Sequence, residues 1–148
     1  MNLFGLFQVS GSALAAERLR AEVVTTNLAN AESTRTPEGG PYRRKVAVFE
    51  SRATSPFQML LAGGMSSAGA QESAGVRVSQ VVEDNSPAVR KYDPGHPDAD
   101  ASGYVEYPDI NPVEEVVDLM GAQRAYELNA SAIAAAKQMI QQSIQILK

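Results

Sequence analysis

The chain has no cysteine and no tryptophan, and its only histidine is His96. Without cysteine there can be no disulfide, no thiolate nucleophile and no cysteine metal site, and such a chain tolerates oxidising and reducing surroundings alike. Aromatic residues make up only 6% of the sequence, and much of its 44% hydrophobic content is alanine. The apolar area available per residue is therefore modest, and a large globular core is not expected. Positive charge is also short, because the formal net charge is −4, which argues against a phosphate-rich nucleic-acid partner. No stretch approaches the length of uninterrupted apolar residues that a transmembrane helix requires. Met1 to Gln8 carries Leu3, Phe4, Leu6 and Phe7 but no positive leader and no long apolar core, so a conventional secretory signal is not expected either.

Glycine and proline are nearly missing from the last third of the chain. Pro112 is the last proline, and Gly121 is the only glycine between Val113 and Lys148. The stretch is filled mainly with strong helix formers. A continuous helix over it would be about 54 Å long at 1.5 Å per residue, too long for a domain of 148 residues to cover on several sides. Leu119, Tyr126, Ile133, Ile140 and Leu147 recur every seven residues, with Val116, Ala130 and Ile144 at the companion position and Gln123 and Lys137 interrupting it. A second apolar row runs through Ala125, Leu128, Ala132, Ala135, Met139 and Ile146. Two rows require more than one neighbour.

The amino-terminal segment has the same character. Leu3, Leu6, Phe7, Val9, Ala13, Leu14 and Ala16 recur at helical spacing and continue through Leu19, Val23, Val24 and Leu28. Ser10 or Ser12 could cap this helix, or it could start near Leu3; Arg18 and Glu22 lie four apart and can pair. Thr36-Pro37 and Glu38-Gly39-Gly40-Pro41 end it. Strand character follows at Tyr42 to Phe49, Gly75 to Val82, Ala88 to Tyr92 and Tyr104 to Tyr107, while residues 51–74, rich in glycine and serine, read as a flexible loop with a short helical turn at Pro56 to Leu61. Asn111 reads as an N-cap with Pro112 at the first helical position, and Glu114 and Glu115 complement the helix dipole. The expected fold class is α+β: long paired amino- and carboxyl-terminal helices forming a coiled-coil-like core over residues 1–35 and 111–148, with a small irregular β-rich segment over 36–110.

Residues with chemistry to offer are few. Arg43, Arg44 and Lys45 form the only tight basic run, but on a strand they alternate faces, which suits a solvated surface or a protein interface better than phosphate. His96 lies between Pro94-Gly95 and Pro97 with Asp93, Asp98 and Asp100 nearby, and no second histidine or fixed glutamate pair joins it. It reads as part of a turn, so no catalytic residue, metal or cofactor is expected. Asn27 and Asn30 close an otherwise apolar helix, where they face water or hydrogen-bond to a partner that would make an unpaired amide costly. Gln123 and Asn129 invite the same two readings.

Asn27-Leu28-Ala29-Asn30-Ala31 followed by Ser33 to Arg44, the segment Tyr92 to Asp100, the Gly103-Tyr104-Val105 step and Gln123 to Ala130 together resemble the bacterial flagellar basal-body rod protein family. The resemblance spans essentially the whole chain and departs from the commonest family wording at Ala31-Glu32 and Asp109-Ile110-Asn111. It implies a structural subunit of the proximal rod, the periplasmic part of the flagellar drive shaft, packed against other copies of itself and other rod proteins. It also implies transient contact with the flagellar type III export apparatus on the way out of the cytoplasm. By resemblance, Asn27, Leu28 and Asn30 match the amino-terminal axial motif, and Gln123, Arg124, Tyr126 and Asn129 match the carboxyl-terminal one. With the helical rows, these make Leu6, Val9, Leu14, Val24, Asn27, Leu28, Asn30, Val116, Leu119, Gln123, Arg124, Tyr126, Asn129, Ile133, Ile140, Ile144 and Leu147 the candidate subunit-packing residues.

Overall fold

The computed structural model describes residues 3–52 and 75–146. Residues 53–74, most of the interval read as a flexible loop together with its short helical turn, lie outside the described residues, as does Leu147. The element order is α1 (Leu3–Ala29), β1 (Lys45–Ser51), β2 (Val76–Glu83), β3 (Val89–Tyr92), β4 (Tyr104–Tyr107) and α2 (Pro112–Ile146). This is the expected α+β arrangement of two long terminal helices around a small β segment. Helix α1 takes the earlier of its two possible starts, and its last turn closes when the Asn30 amide donates to the carbonyls of Thr26 and Asn27, each at 3.1 Å.

Helices α1 and α2 pack antiparallel along much of their length. Arg20 reaches Asp118 while Asn27, later in α1, reaches Glu115, earlier in α2. The buried apolar residues are Ala16, Val23, Val24, Val105, Ala122 and Ala136. Within α2 the seam continues through the half-buried Ala125, Asn129 and Ala132. Of the seven-residue row and its companion, Leu119, Ile133 and Ile140 lie half-buried on the flank of this seam, while Tyr126, Val116 and Ile144 are exposed. Small side chains let two helix backbones approach closely. Larger residues on the adjoining row are thereby displaced from the line of contact.

Among the described residues the β segment forms two separate two-stranded antiparallel sheets. In the first, Val46 pairs with Val82 and Ala47 with Val81, and a bulge between Val48 and Phe49 shifts the partners from Gln80 to Val78. The bulge leaves Ser79 without a paired residue across the ladder. The second sheet pairs Val89 with Tyr107 and Tyr92 with Tyr104. Its connection is organised by Asp100, whose Oδ1 accepts from the amides of Ser102 and Tyr104 at 2.8 and 2.9 Å. Gly103 adopts a φ of 79°, and a Cβ there would press on the Tyr92 ring.

The start of α2 is capped as the sequence suggests, with Asn111 Oδ1 accepting from the Val113 amide at 3.1 Å. Glu114 does not complete a standard capping box, because it accepts from the Asn111 side-chain amide at 3.1 Å. Glu115, expected only to complement the dipole, is instead buried.

The first sheet is tied to α1 at Ser12. Its hydroxyl donates to the Val9 carbonyl at 2.7 Å and accepts from the Val76 amide at 3.0 Å. Gly75 is buried at this contact, and a Cβ there would clash with Ser12 Oγ and lie 2.9 Å from Ser12 Cβ. Replacing Gly75 by alanine should therefore push β2 off α1 and destabilise the chain by about 1–3 kcal/mol, the usual range for overpacking. Denaturant unfolding of the full-length chain measures this, and an unchanged midpoint would refute the close approach.

Candidate assembly surface

Three parts of the chain converge on Asn27, which is only 1% exposed. Its Nδ2 donates to the Lys45 carbonyl at 2.8 Å and to Glu115 Oε2 at 3.1 Å. Its Oδ1 accepts from the Lys45 amide at 2.9 Å and from the Tyr42 hydroxyl at 3.1 Å. Both donors and both acceptor positions of the amide are thus occupied. Asn27 acts towards Lys45 as a neighbouring strand would, pairing with both of its backbone groups at the point where β1 begins.

Glu115, also 1% exposed, carries the contact into α2. Its Oε1 accepts from Arg44 Nε at 2.6 Å. Arg44 also lies 3.5 Å from Asp118 Oδ2, while Arg20 of α1 reaches Asp118 Oδ1 at 3.3 Å. The hydrogen bond to Glu115, with the charges of Glu115, Asp118 and Asp84, outweighs burial and holds the Arg44 guanidinium above its usual range. Arg44 is thus committed inside the chain and does not form a free basic patch with Arg43, which bonds Asn85 Oδ1 at 2.9 Å. The sequence signals for this cluster were the unusual position of Asn27 in an apolar helix and the basic run Arg43-Arg44-Lys45 at the start of β1.

The candidate packing residues separate into distinct environments. Val24 and Asn27 are buried within the chain. Leu6, Val9, Leu14, Leu28, Asn30, Leu119, Asn129, Ile133 and Ile140 are half-buried. Asn30 Nδ2 donates to the Thr26 carbonyl and Asn129 Nδ2 to the Ala125 carbonyl, each at 2.8 Å, so both amides are engaged by their own helices. Val116, Gln123, Arg124, Tyr126 and Ile144 are exposed. Several large apolar residues outside the expected set are exposed too, notably Phe4, Val113, Val117, Met120, Leu128 and Met139. Most of them lie along α2, and α1 adds Phe4 and Leu19.

His96 lies in the turn between β3 and β4. Its Nδ1 accepts from the Asp98 amide at 3.1 Å, and its ring meets Tyr107 edge-on at 6.1 Å between centroids. Asp98 in turn accepts from Thr34 Oγ1 at 2.8 Å and lies 3.6 Å from Arg35, so the turn docks onto the segment following α1. Among the described residues no group of histidine and carboxylates is arranged to hold a metal ion. No helix among them is long and apolar enough to cross a membrane.

Two measurements check the Asn27 cluster. Asn27→Ala leaves both backbone groups of Lys45 and one oxygen of Glu115 without this partner, and should cost about 1–3 kcal/mol in denaturant unfolding; a loss below a few tenths would contradict the geometry. The Tyr42 phenol is raised above its ordinary 10.0 by burial first and then by the charges of Glu83 and Glu115. Because the folded state favours the protonated phenol, this contribution is intact below pH 10.0 and is lost as pH rises through the raised value. In an ultraviolet titration, the phenolate signal missing from Tyr42→Phe should appear later in the folded chain than in the unfolded one, and coincident curves would refute the burial.

Comparison with known proteins agrees with this architecture. A family profile described as "Flagellar basal body rod FlgEFG protein C-terminal" matches residues 101–146, a span that includes β4 and α2. The flagellar basal-body rod protein FlgC of Borreliella burgdorferi is 41% identical over an alignment covering 100% of this chain and 99% of that protein. The FlgC protein of Bacillus subtilis is 42% identical with 100% of both covered, and that of Salmonella typhimurium is 39% identical over 95% of this chain and 94% of its own length. Full-length similarity at this level, on a pair of terminal helices bracketing a small β segment, means that the chain belongs to the FlgC family of flagellar basal-body rod proteins.

Proposed function

We propose that this protein is a structural subunit of the flagellar proximal rod, packing with copies of itself and with other rod proteins to form the shaft that transmits motor torque. The observation that carries this reading is the series of large apolar side chains left in solvent along α2, with Phe4 and Leu19 on α1. Leu128 at 65% exposure stands for them. Isolated soluble proteins scatter such residues singly, whereas rows of them on a long helix mark surfaces that other chains cover. Fully burying one large side chain contributes about 1.5–3 kcal/mol, so many lateral contacts together can make a continuous shaft without any one of them dominating.

The subunit acts in the periplasm on this reading, after leaving the cytoplasm through the flagellar type III export apparatus. Contacts between unlike surfaces of neighbouring copies extend a stepped assembly, which a closed dimer cannot do. The exposed and half-buried members of the candidate set, among them Tyr126, Ile133, Ile140 and Ile144, are the ones available to such neighbours. Asn27 and Val24 serve instead to shape the subunit that presents them.

Leu128→Asp separates assembly from folding. The residue is exposed in the single chain, so the purified variant should unfold within about 0.5 kcal/mol of the unsubstituted protein. Its incorporation into purified basal bodies, followed by immunoblot, and the swimming of the cells should both be lost. Normal incorporation with normal motility would sink the assembly role of this row. Inactivating the flagellar export apparatus should leave the chain in the cytoplasmic fraction, and its appearance outside under those conditions would contradict the export route.

A further inference from the structure

The helix pair carries two unlike apolar features on opposite sides. On α2, Val113, Val116, Val117 and Met120 stand at the i, i+3, i+4 and i+7 positions that anchor a helix in a groove. Val113, Val117 and Met120 are 71%, 62% and 63% exposed. Tyr126 lies nine residues beyond Val117, about two and a half turns at 3.6 residues per turn, and so on the far side of the same helix. There it lines a groove of about 490 Å³ with Leu14, Ala15 and Leu19 of α1. The rim of that groove is the exposed Arg18–Glu22 pair, 3.0 Å apart.

We infer that the α2 stripe of one copy docks in the α1/α2 groove of the next, so that a second copy of this chain is the lateral partner. This rests on the rod reading, in which all subunits point the same way along one axis. Copies so aligned present α2 of one antiparallel to α1 of its neighbour. Placing Glu114 of one copy beside Arg18 of the next then lays Val117 over Ala15 and Met120 close to Gly11. A Cβ at Gly11 would have no atom within 4 Å, so this part of α1 is open to close approach.

Charge supports the same register. Arg18 is exposed, with Glu22 its one ion-pair partner among the described residues, and Glu114 brings an opposite charge to it. From Leu3 to Ala16 α1 has no charged residue, so Arg124, arriving near Gln8, meets none of like sign. Within one chain Asp118 is level with Arg20, which puts Glu114 level with about residue 24. Moving it to residue 18 of the neighbour shifts the copies by six residues, about 9 Å. The contact is heterologous and stepped, and it leaves a free stripe and a free groove at the two ends of any row of copies.

The absence of cysteine makes the test direct. Val117→Cys combined with Ala15→Cys, oxidised in purified basal bodies, should give a ladder of this chain linked in dimers, trimers and longer species. Neither single variant should form a homodimer, because stripe and groove are different surfaces. Incorporated subunits without a ladder, or homodimers from Val117→Cys alone, would overturn the contact. If the double variant does not incorporate, a p-benzoylphenylalanine photocrosslinker replacing Val117 decides the matter. Adducts mapped by mass spectrometry to residues 11–19 of a second copy support it, and adducts on a different rod chain or elsewhere overturn it. Glu114→Arg should lower the cross-link yield about two- to fivefold, as suits an exposed ion pair, and Arg18→Glu in the same protein should restore it. Complete absence of the unsubstituted chain from basal bodies would instead overturn the rod reading itself.

Discussion

The arrangement of this molecule depends on one fully satisfied amide. Asn27 joins the end of α1, the start of β1 and the first turn of α2, since its four hydrogen bonds reach Lys45, Tyr42 and Glu115. A buried amide tolerates few positions, because a shift along the helix axis would leave some of those partners unpaired at about 1–3 kcal/mol each. An alanine-rich seam has no comparable preference, as one alanine resembles the next. The polar cluster therefore specifies the register that the apolar contact leaves loosely determined, much as a single buried asparagine fixes register in a coiled coil.

The seam has a second consequence. Ala16, Ala122 and Ala136 are buried where the helices meet, and small residues allow close contact while contributing little apolar area. Larger side chains such as Val117, Leu128 and Met139 remain outside it. In a self-contained domain this would be an inefficient use of the hydrophobic residues. In a subunit surrounded by others it places these larger apolar side chains where neighbours can reach them. The same sequence is thus economical only at the level of the assembly.

Much of this was legible from the residues alone. The long runs without glycine or proline announced both helices, Tyr104–Tyr107 was delimited as a strand, and Asn111-Pro112 marked the start of α2. The seam itself was not, because a periodicity search gives most weight to Leu119, Tyr126, Ile133 and Ile140, whereas close helix approach selects the alanines beside them. Glu115 was hidden for a related reason. A glutamate in a first helical turn is ordinary, and only the return of Arg44 from a distant part of the chain reveals why this one is buried. Pairing between Asn27 and the backbone of Lys45 leaves no side-chain pattern at position 45. The division of the strands into two sheets depends likewise on contacts far apart in sequence, including the docking of the β3–β4 turn through Asp98.

Where charge falls along the helices connects these features. Glu17, Arg18, Arg20 and Glu22 of α1, and Glu114, Glu115 and Asp118 of α2, concentrate at the end that also carries the Asn27 cluster. Towards the other end α1 has no charged residue before Glu17, and α2 has only Lys137 between Leu128 and Ile146. Desolvating charge is costly unless each group is paired, whereas uncharged polar and small residues enter an interface at much lower cost. At the charged end the ions nearest the Asn27 cluster are matched within the subunit, as Arg20 and Arg44 are with Asp118 and Glu115. The uncharged end can be surrounded by other helices without leaving unmatched ions behind. The charged end thus fixes the shape of the subunit beside its exposed Val113–Met120 stripe, and the other end is chemically suited to the crowded interior of a helical assembly.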